Sequence, residues 1–214
     1  MLDKTEHKIL RGDIMARKQG LNIAKICIGI YFLISVFYAY FGYYNYLYEL
    51  TSLSNLLYGV ILIISGILGL YKKQLNMIVN LMALVCIMCV YSTVFMVAFN
   101  IAQFNFDGGF MLLHGVNPLI ALAFFLFTEK CEFKDKKQLL MRVFLSPILF
   151  MAYLLFDLIF YFSNGEFIYG LLPSDLAYIS PIVAIVMYGL LVAMGYILIK
   201  LKKFIQTKLT ENNK

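Results

Sequence analysis

The sequence predicts an all-α polytopic membrane protein with six transmembrane helices and both termini in the cytoplasm. Three observations predict it. The chain has 214 residues, of which 62% are hydrophobic and only 14% charged, whereas a soluble domain carries roughly 45–50% and 25%. Its apolar residues gather in six runs, each long enough to cross about 30 Å of hydrocarbon at about 1.5 Å per residue. Lysine and arginine occupy alternate connections, as the positive-inside rule requires.

Residues 1–24 form a basic, partly amphipathic cytoplasmic lead with Lys4, Glu6, Lys8, Arg11, Asp13, Arg17 and Lys18, and with His7 as a solvated residue. No cleavage-type apolar stretch precedes Leu21, so the first run is read as a retained helix and not a removed signal peptide. The runs are Ile26–Tyr44, Leu50–Leu70, Leu75–Phe99, Phe110–Phe127, Leu139–Phe162 and Leu176–Ile199. Together they make a transmembrane domain over 25–201, followed by a cytoplasmic tail over 202–214. Lys72 and Lys73 follow the second run. Lys130, Lys134, Lys136 and Lys137 follow the fourth, with Arg142 just inside the fifth, and Lys200, Lys202 and Lys203 follow the sixth. The other three connections hold only the acids Glu49, Asp107, Glu166 and Asp175. The net charge of +6 therefore serves orientation and not nucleic-acid binding. The absence of tryptophan and the wealth of Lys, Ile, Asn and Tyr point to an AT-rich bacterial genome, hence to a bacterial cell membrane.

Four cysteines are present, Cys27, Cys86, Cys89 and Cys131. Cys86 and Cys89 form a C-x-x-C inside an apolar run without other soft ligands, and read as small core residues. One histidine and one aspartate at a similar depth do not make a closed metal site. No Gly-rich phosphate loop is present, and no cofactor is implied.

This topology gives each buried polar residue a depth. His114, the one histidine outside the extreme N-terminus, lies roughly 7 Å below the outer surface at helical rise. An imidazole in hydrocarbon usually lines a polar cavity with a partner. Pro118 has no N–H for the carbonyl of His114, so that carbonyl is open to another donor and the helix can bend. The second run opens with Thr51, Ser54 and Asn55, which share one helix face. Asp157, the one acid of the fifth run, sits at a similar depth, as does Asn117, and Asn100 closes the third run on the outer side. Pro147 and Pro181 read as simple kinks.

A polar pocket in the outer half of the bundle follows. A hydroxyl is a weak nucleophile that needs a base within reach, and the base gains from a group that fixes its tautomer. Thr51 or Ser54 as nucleophile, His114 as base and Asp157 as orienting acid meet that need, with Asn55 or Asn117 as donors to an oxyanion. Each group also has a structural reading: Thr51 and Ser54 as helix caps or back-bonded hydroxyls, Asn55 as an interhelical clamp, His114 with Asp157 as a tie between helices.

The opening Thr51-x-x-Ser54-Asn55, the segment Leu112-Leu113-His114-x-x-x-Pro118 and the outer Gly165-x-x-x-Tyr169 resemble the androgen-inducible-gene family of six-helix membrane proteins and their bacterial relatives. The resemblance covers most of the chain by spacing and topology. It implies a threonine hydrolase acting on fatty acid esters of hydroxy fatty acids, with Thr51 as nucleophile and His114 as base. Tyr169 then belongs to the substrate-binding set, although Gly170 stands where the animal motif tends to have proline. Asp157 is not carried by the resemblance.

Three functions are expected from these residues. The first is a lipid ester hydrolase whose partners are a fatty-acyl ester and the bilayer, with Thr51, His114 and Asp157 catalytic and Ser54, Asn55, Asn117 and Tyr169 binding substrate. The second is a small-molecule or lipid binding or transport protein using the same pocket. The third is a structural protein held by a His114–Asp157 clamp. The oligomeric state is not readable from the sequence.

Overall fold

The computed structural model describes residues 4–92, 106–128, 135–168 and 178–211, and among them no strand occurs. Helix α1 runs Lys4–Ala39 and α2 runs Leu50–Leu70. Helix α3 covers Met77–Ser92. A π turn at Leu112–Val116 leads into α4, Asn117–Thr128. Helix α5 is Lys136–Leu145, α6 is Ile148–Asn164 and α7 is Ser180–Glu211.

Among the described residues four helical stretches are long and apolar enough to cross a membrane: Lys18–Ala39, Leu50–Leu70, Lys136–Asn164 and Ser180–Leu209. Met77–Tyr91 and Leu112–Thr128 are shorter apolar helices. The end of the third predicted run, Asn100, Cys131, the start of the sixth run at Leu176 and Tyr169 lie outside the described residues.

The elements differ from the expected runs in four places, each with a local cause. The first run was expected to end at Tyr44, but α1 stops at Ala39 and Gly42, at φ 82°, turns the chain. A left-handed residue ends a helix, and glycine takes that conformation without a Cβ clash. The lead and the first span are one continuous helix, with no break at residue 24. The fifth run is two helices. Pro147 cannot donate to the carbonyl of Val143, which takes the N–H of Ser146 at 3.2 Å and its hydroxyl at 2.7 Å instead. Pro181 kinks nothing, because it stands in the first turn of α7, where a missing N–H costs no helix bond.

Helix α3 occupies the middle. It touches α2, α4, α5, α6 and α7, and its Leu81, Ala83, Leu84 and Val85 are fully buried. A helix that is apolar all round suits such a position. On one flank α1 lies along α2 at very close range. A Cβ on Gly59 would stand 2.9 Å from the carbonyl oxygen of Gly29, and one on Gly66 would stand 2.6 Å from that of Asn22. Small residues let two helix backbones approach in this way. Substituting Gly66→Leu is expected to push α1 off α2 and to cost about 1–3 kcal/mol. Thermal unfolding in detergent measures it, and an unchanged midpoint would show that the contact is not tight.

Among the described residues Lys25 and Lys202 enter the bundle. Lys25 Nζ donates to Ser65 Oγ at 3.0 Å. Lys202, expected at the head of a tail, is fully buried, because α7 continues to Glu211. Its ammonium donates to the carbonyl of Phe125, in the last turn of α4, and lies 4.5 Å above the Phe125 ring. A cation there meets the negative end of the helix.

Candidate functional site

The site is built around the backbone irregularity that Pro118 creates. The N–H of Asn117 reaches back to the carbonyl of Leu112, five residues away, and not to Leu113. Leu113 has then lost its ordinary helix donor, and the next residue, Pro118, has none to give. The loss of the ordinary helix donor thus reaches Leu113 as well as His114, whose donor Pro118 would have been. Side chains from other helices come to this turn. Asn55 Nδ2 stands 3.5 Å from the Leu113 carbonyl, and the Tyr91 hydroxyl donates to that of Gly115 at 2.9 Å. Just upstream, Gly109 lies so close to α1 that a Cβ on it would stand 2.5 Å from Cα of Ala39. The π turn is thus held by α1, α2 and α3.

This turn aims His114 at α2. Its Nε2 lies 3.2 Å from Oγ1 of Thr51, and the imidazole is 7% exposed. Phe106 meets the ring edge-on at 5.8 Å and Phe110 lies at 6.0 Å. A neutral imidazole protonated on Nδ1 presents Nε2 as an acceptor to the Thr51 hydroxyl. Thr51 itself is only partly buried, so the pair stands at the edge of the packed core.

The other expected site residues fall into two groups. Asn55 and Asn117 lie directly beneath the pair. Asn55 Nδ2 donates to the Thr51 carbonyl at 2.8 Å, and Asn117 Nδ2 donates to Asn55 Oδ1 at 2.7 Å and to Ser35 Oγ at 2.8 Å. A primary amide has two N–H hydrogens, and both amides have two protein acceptors. The expected role of Asn55 or Asn117 as a donor to an oxyanion is corrected accordingly: their donors are already engaged inside the protein. Ser54 Oγ donates to the Thr51 carbonyl at 3.2 Å, which makes Ser54 back-bonded and not the partner of His114.

Asp157 is tied elsewhere. Its Oδ1 accepts the N–H of Ile168 at 2.8 Å, where the chain turns beyond Gly165 at φ 79°. Helix α6, which carries it, packs chiefly on α3 and α7. The orienting role for His114 and the clamp between the two are both corrected by this placement. Asp157 is thus held by the turn beyond Gly165 and not by His114.

A cavity of about 210 Å³ lies between α2, α3 and α6, lined by Leu50, Leu53, Ser54, Leu57, Cys86, Leu149, Tyr153 and Phe156. It opens on a different face of α2 from Thr51, and only Ser54 belongs to both surroundings. Among the described residues no three His, Cys, Asp or Glu side chains gather to hold a metal ion.

Two features were not singled out from the sequence. Ser35 is the one serine of the first run, and that singularity was the available signal. Glu49 sits at the cap of α2, two residues before Thr51, and its Oε2 accepts the hydroxyl of buried Tyr40 at 2.6 Å. Burial pushes the Glu49 carboxyl above its ordinary 4.5, and the Tyr40 bond pulls part of that back. The folded chain therefore holds this proton more tightly than the unfolded chain. The stability so gained is full below the unfolded value and is lost as pH rises through the raised folded value. Glu49→Gln is expected to flatten the thermal-unfolding profile as pH rises above the ordinary 4.5, and Tyr40→Phe to steepen it. Profiles that superimpose on the parent's in both variants would refute the coupling.

Compared with known proteins, the chain matches no family model, no curated protein and no solved structure.

Proposed function

We propose that the chain is a membrane-embedded lipid ester hydrolase of the threonine type, related to the androgen-inducible-gene family and acting on fatty-acyl esters. The observation that carries the reading is the 3.2 Å approach of Thr51 Oγ1 to His114 Nε2. That distance lies at the outer limit of hydrogen-bond reach for a nucleophile and its base before substrate closes the site. In the reaction the Thr51 hydroxyl gives its proton to Nε2 while Oγ1 attacks the ester carbonyl carbon. Collapse of the tetrahedral adduct breaks the ester C–O bond, and the imidazolium returns the proton to the departing alcohol. Water then attacks the acyl-threonine, with His114 taking and returning one proton, and releases the fatty acid.

The membrane arrangement proposed with it has six spans, both termini cytoplasmic, in a bacterial cell membrane. The two shorter apolar helices complete six when added to the four long ones. The one-sided distribution of lysine supports the orientation. A collar of exposed aromatics, Tyr38, Phe41, Tyr43, Tyr44 and Tyr46, stands between the ends of α1 and α2. Aromatic side chains of this kind favour the head-group boundary. Thr51 follows five residues after Tyr46, which suits an ester held where water and lipid meet.

Binding or transport is the second reading. It is favoured by the apolar cavity, which does not include the Thr51–His114 pair in its lining. A fluorophosphonate probe applied to the purified protein separates the two. The hydrolase reading expects labelling in the parent and none in Thr51→Ala or His114→Ala, both still folded. A folded parent that takes no label would favour binding, with a co-purified ligand as the next finding to seek.

A further inference from the structure

Ser35, Asn55 and Asn117 come from three helices and are 2%, 1% and 0% exposed. Their hydrogen bonds run in one direction. Asn117 Nδ2 donates both to Ser35 Oγ at 2.8 Å and to Asn55 Oδ1 at 2.7 Å. Ser35 passes its own hydrogen to the Phe32 carbonyl at 2.8 Å, so its oxygen is left as an acceptor. Asn55 in turn donates to the Thr51 carbonyl at 2.8 Å and reaches the Leu113 carbonyl at 3.5 Å. The series ends on two backbone groups: that of the proposed nucleophile, and that of the residue before the proposed base.

We propose that Ser35, Asn55 and Asn117 are positioning residues that hold the Thr51 hydroxyl and the His114 imidazole in register. The proposal rests on the hydrolase reading of the pair. None of the three touches the reacting atoms. What they fix is the rotation of α4 and its π turn against α2. Any turn of α4 about its axis breaks the Ser35 and Asn55 bonds together. Each amide so stranded in the interior loses its partner where no water replaces it. Every donor of the two amides is engaged, and of the network only Asn117 Oδ1 is buried without a partner, so the network favours one arrangement over the neighbouring ones. The π turn makes such a device necessary, because a helix with an open carbonyl at Leu113 lacks its own backbone bond to set the direction of His114. Asn55 supplies a donor to that carbonyl, and Asn117 orients Asn55.

The test uses the 214-residue chain in detergent with Thr51→Cys and its four native cysteines replaced by alanine. A thiol paired with an imidazole ionises at lower pH than a free one and alkylates faster at neutral pH. The rate and pH midpoint of iodoacetamide alkylation therefore report the pairing without requiring ester hydrolysis. In this background His114→Ala is expected to slow alkylation at pH 7 by roughly tenfold and to raise the midpoint. Ser35→Ala and Asn117→Ala are expected to do the same, and Ser35→Thr, which keeps the oxygen, to restore the faster rate. A merely structural role would lower the unfolding temperature and leave the midpoint alone. If His114→Ala moves the midpoint while Ser35→Ala and Asn117→Ala leave it in place, the positioning role is overturned and the pair stands. If His114→Ala leaves it in place, the pair is not coupled, and the hydrolase reading falls together with the positioning role. Should Asn117→Ala not fold, the milder Ser35→Ala decides alone.

Discussion

His114→Gln is expected to lower the turnover of a fatty-acyl ester by about 10²–10⁴-fold, the usual contribution of a general base. The glutamine amide can hydrogen-bond the Thr51 hydroxyl but cannot take its proton. KM is expected to change little, because nothing in the proposed binding of the acyl chain depends on the imidazole. Losing an interaction made only in the transition state has this kinetic signature. Thr51→Ala is expected to abolish turnover, since it removes the hydroxyl that stands 3.2 Å from Nε2, whereas Thr51→Ser keeps the oxygen and retains activity. Steady-state kinetics on the three variants check this. Equal losses in Thr51→Ser and Thr51→Ala would remove the hydroxyl from the mechanism. A His114→Gln effect on KM alone would make the histidine a binding residue.

Pro118→Ala is expected to reduce fluorophosphonate labelling by about 100-fold while the protein remains at least as stable as the parent. Proline inside a helix costs about 3 kcal/mol relative to alanine, against which stands the loss of two packed methylenes. The restored N–H can close an ordinary bond to the His114 carbonyl, and the segment then gains nothing from its π turn. Returning from five-residue to four-residue closure swings His114 by about one residue's step, roughly 100°. The imidazole then leaves Thr51, and the effective concentration of base at the hydroxyl collapses. Labelling rate and unfolding temperature, measured on the same preparation, test both halves. Full labelling in Pro118→Ala would mean that the π turn does not set the direction of His114.

Hydropathy and charge were enough to give α2, Leu50–Leu70, with the same limits in sequence and structure. Glu49 and the Lys72–Lys73 pair bound its apolar run sharply. They were not enough for the division at Pro147, because apolar residues continue on both sides of it and only the missing N–H interrupts the helix. The effect of Pro118 was legible in kind, but the shift of the Asn117 bond to Leu112 was not. Depth from the membrane surface brought Thr51, His114 and Asp157 to one level. It says nothing of direction around the bundle, and in the folded chain Asp157 pairs with the Ile168 N–H while Thr51 and His114 meet each other. Asn55 and Asn117 were legible as site residues, while the acceptors that occupy their amides became visible only with the helices assembled. Ser35 stands alone in its run and made no pattern with any neighbour.

The buried Lys202 has a consequence for how the chain is made. Synthesis proceeds from the N-terminus, so α4 is in place long before the lysine that its Phe125 carbonyl receives from α7. Until α7 emerges, the last turn of α4 lacks the lysine that meets its Phe125 carbonyl. Completion of this contact is thus tied to the synthesis of α7, and a chain released before residue 202 would carry an α4 without its cation.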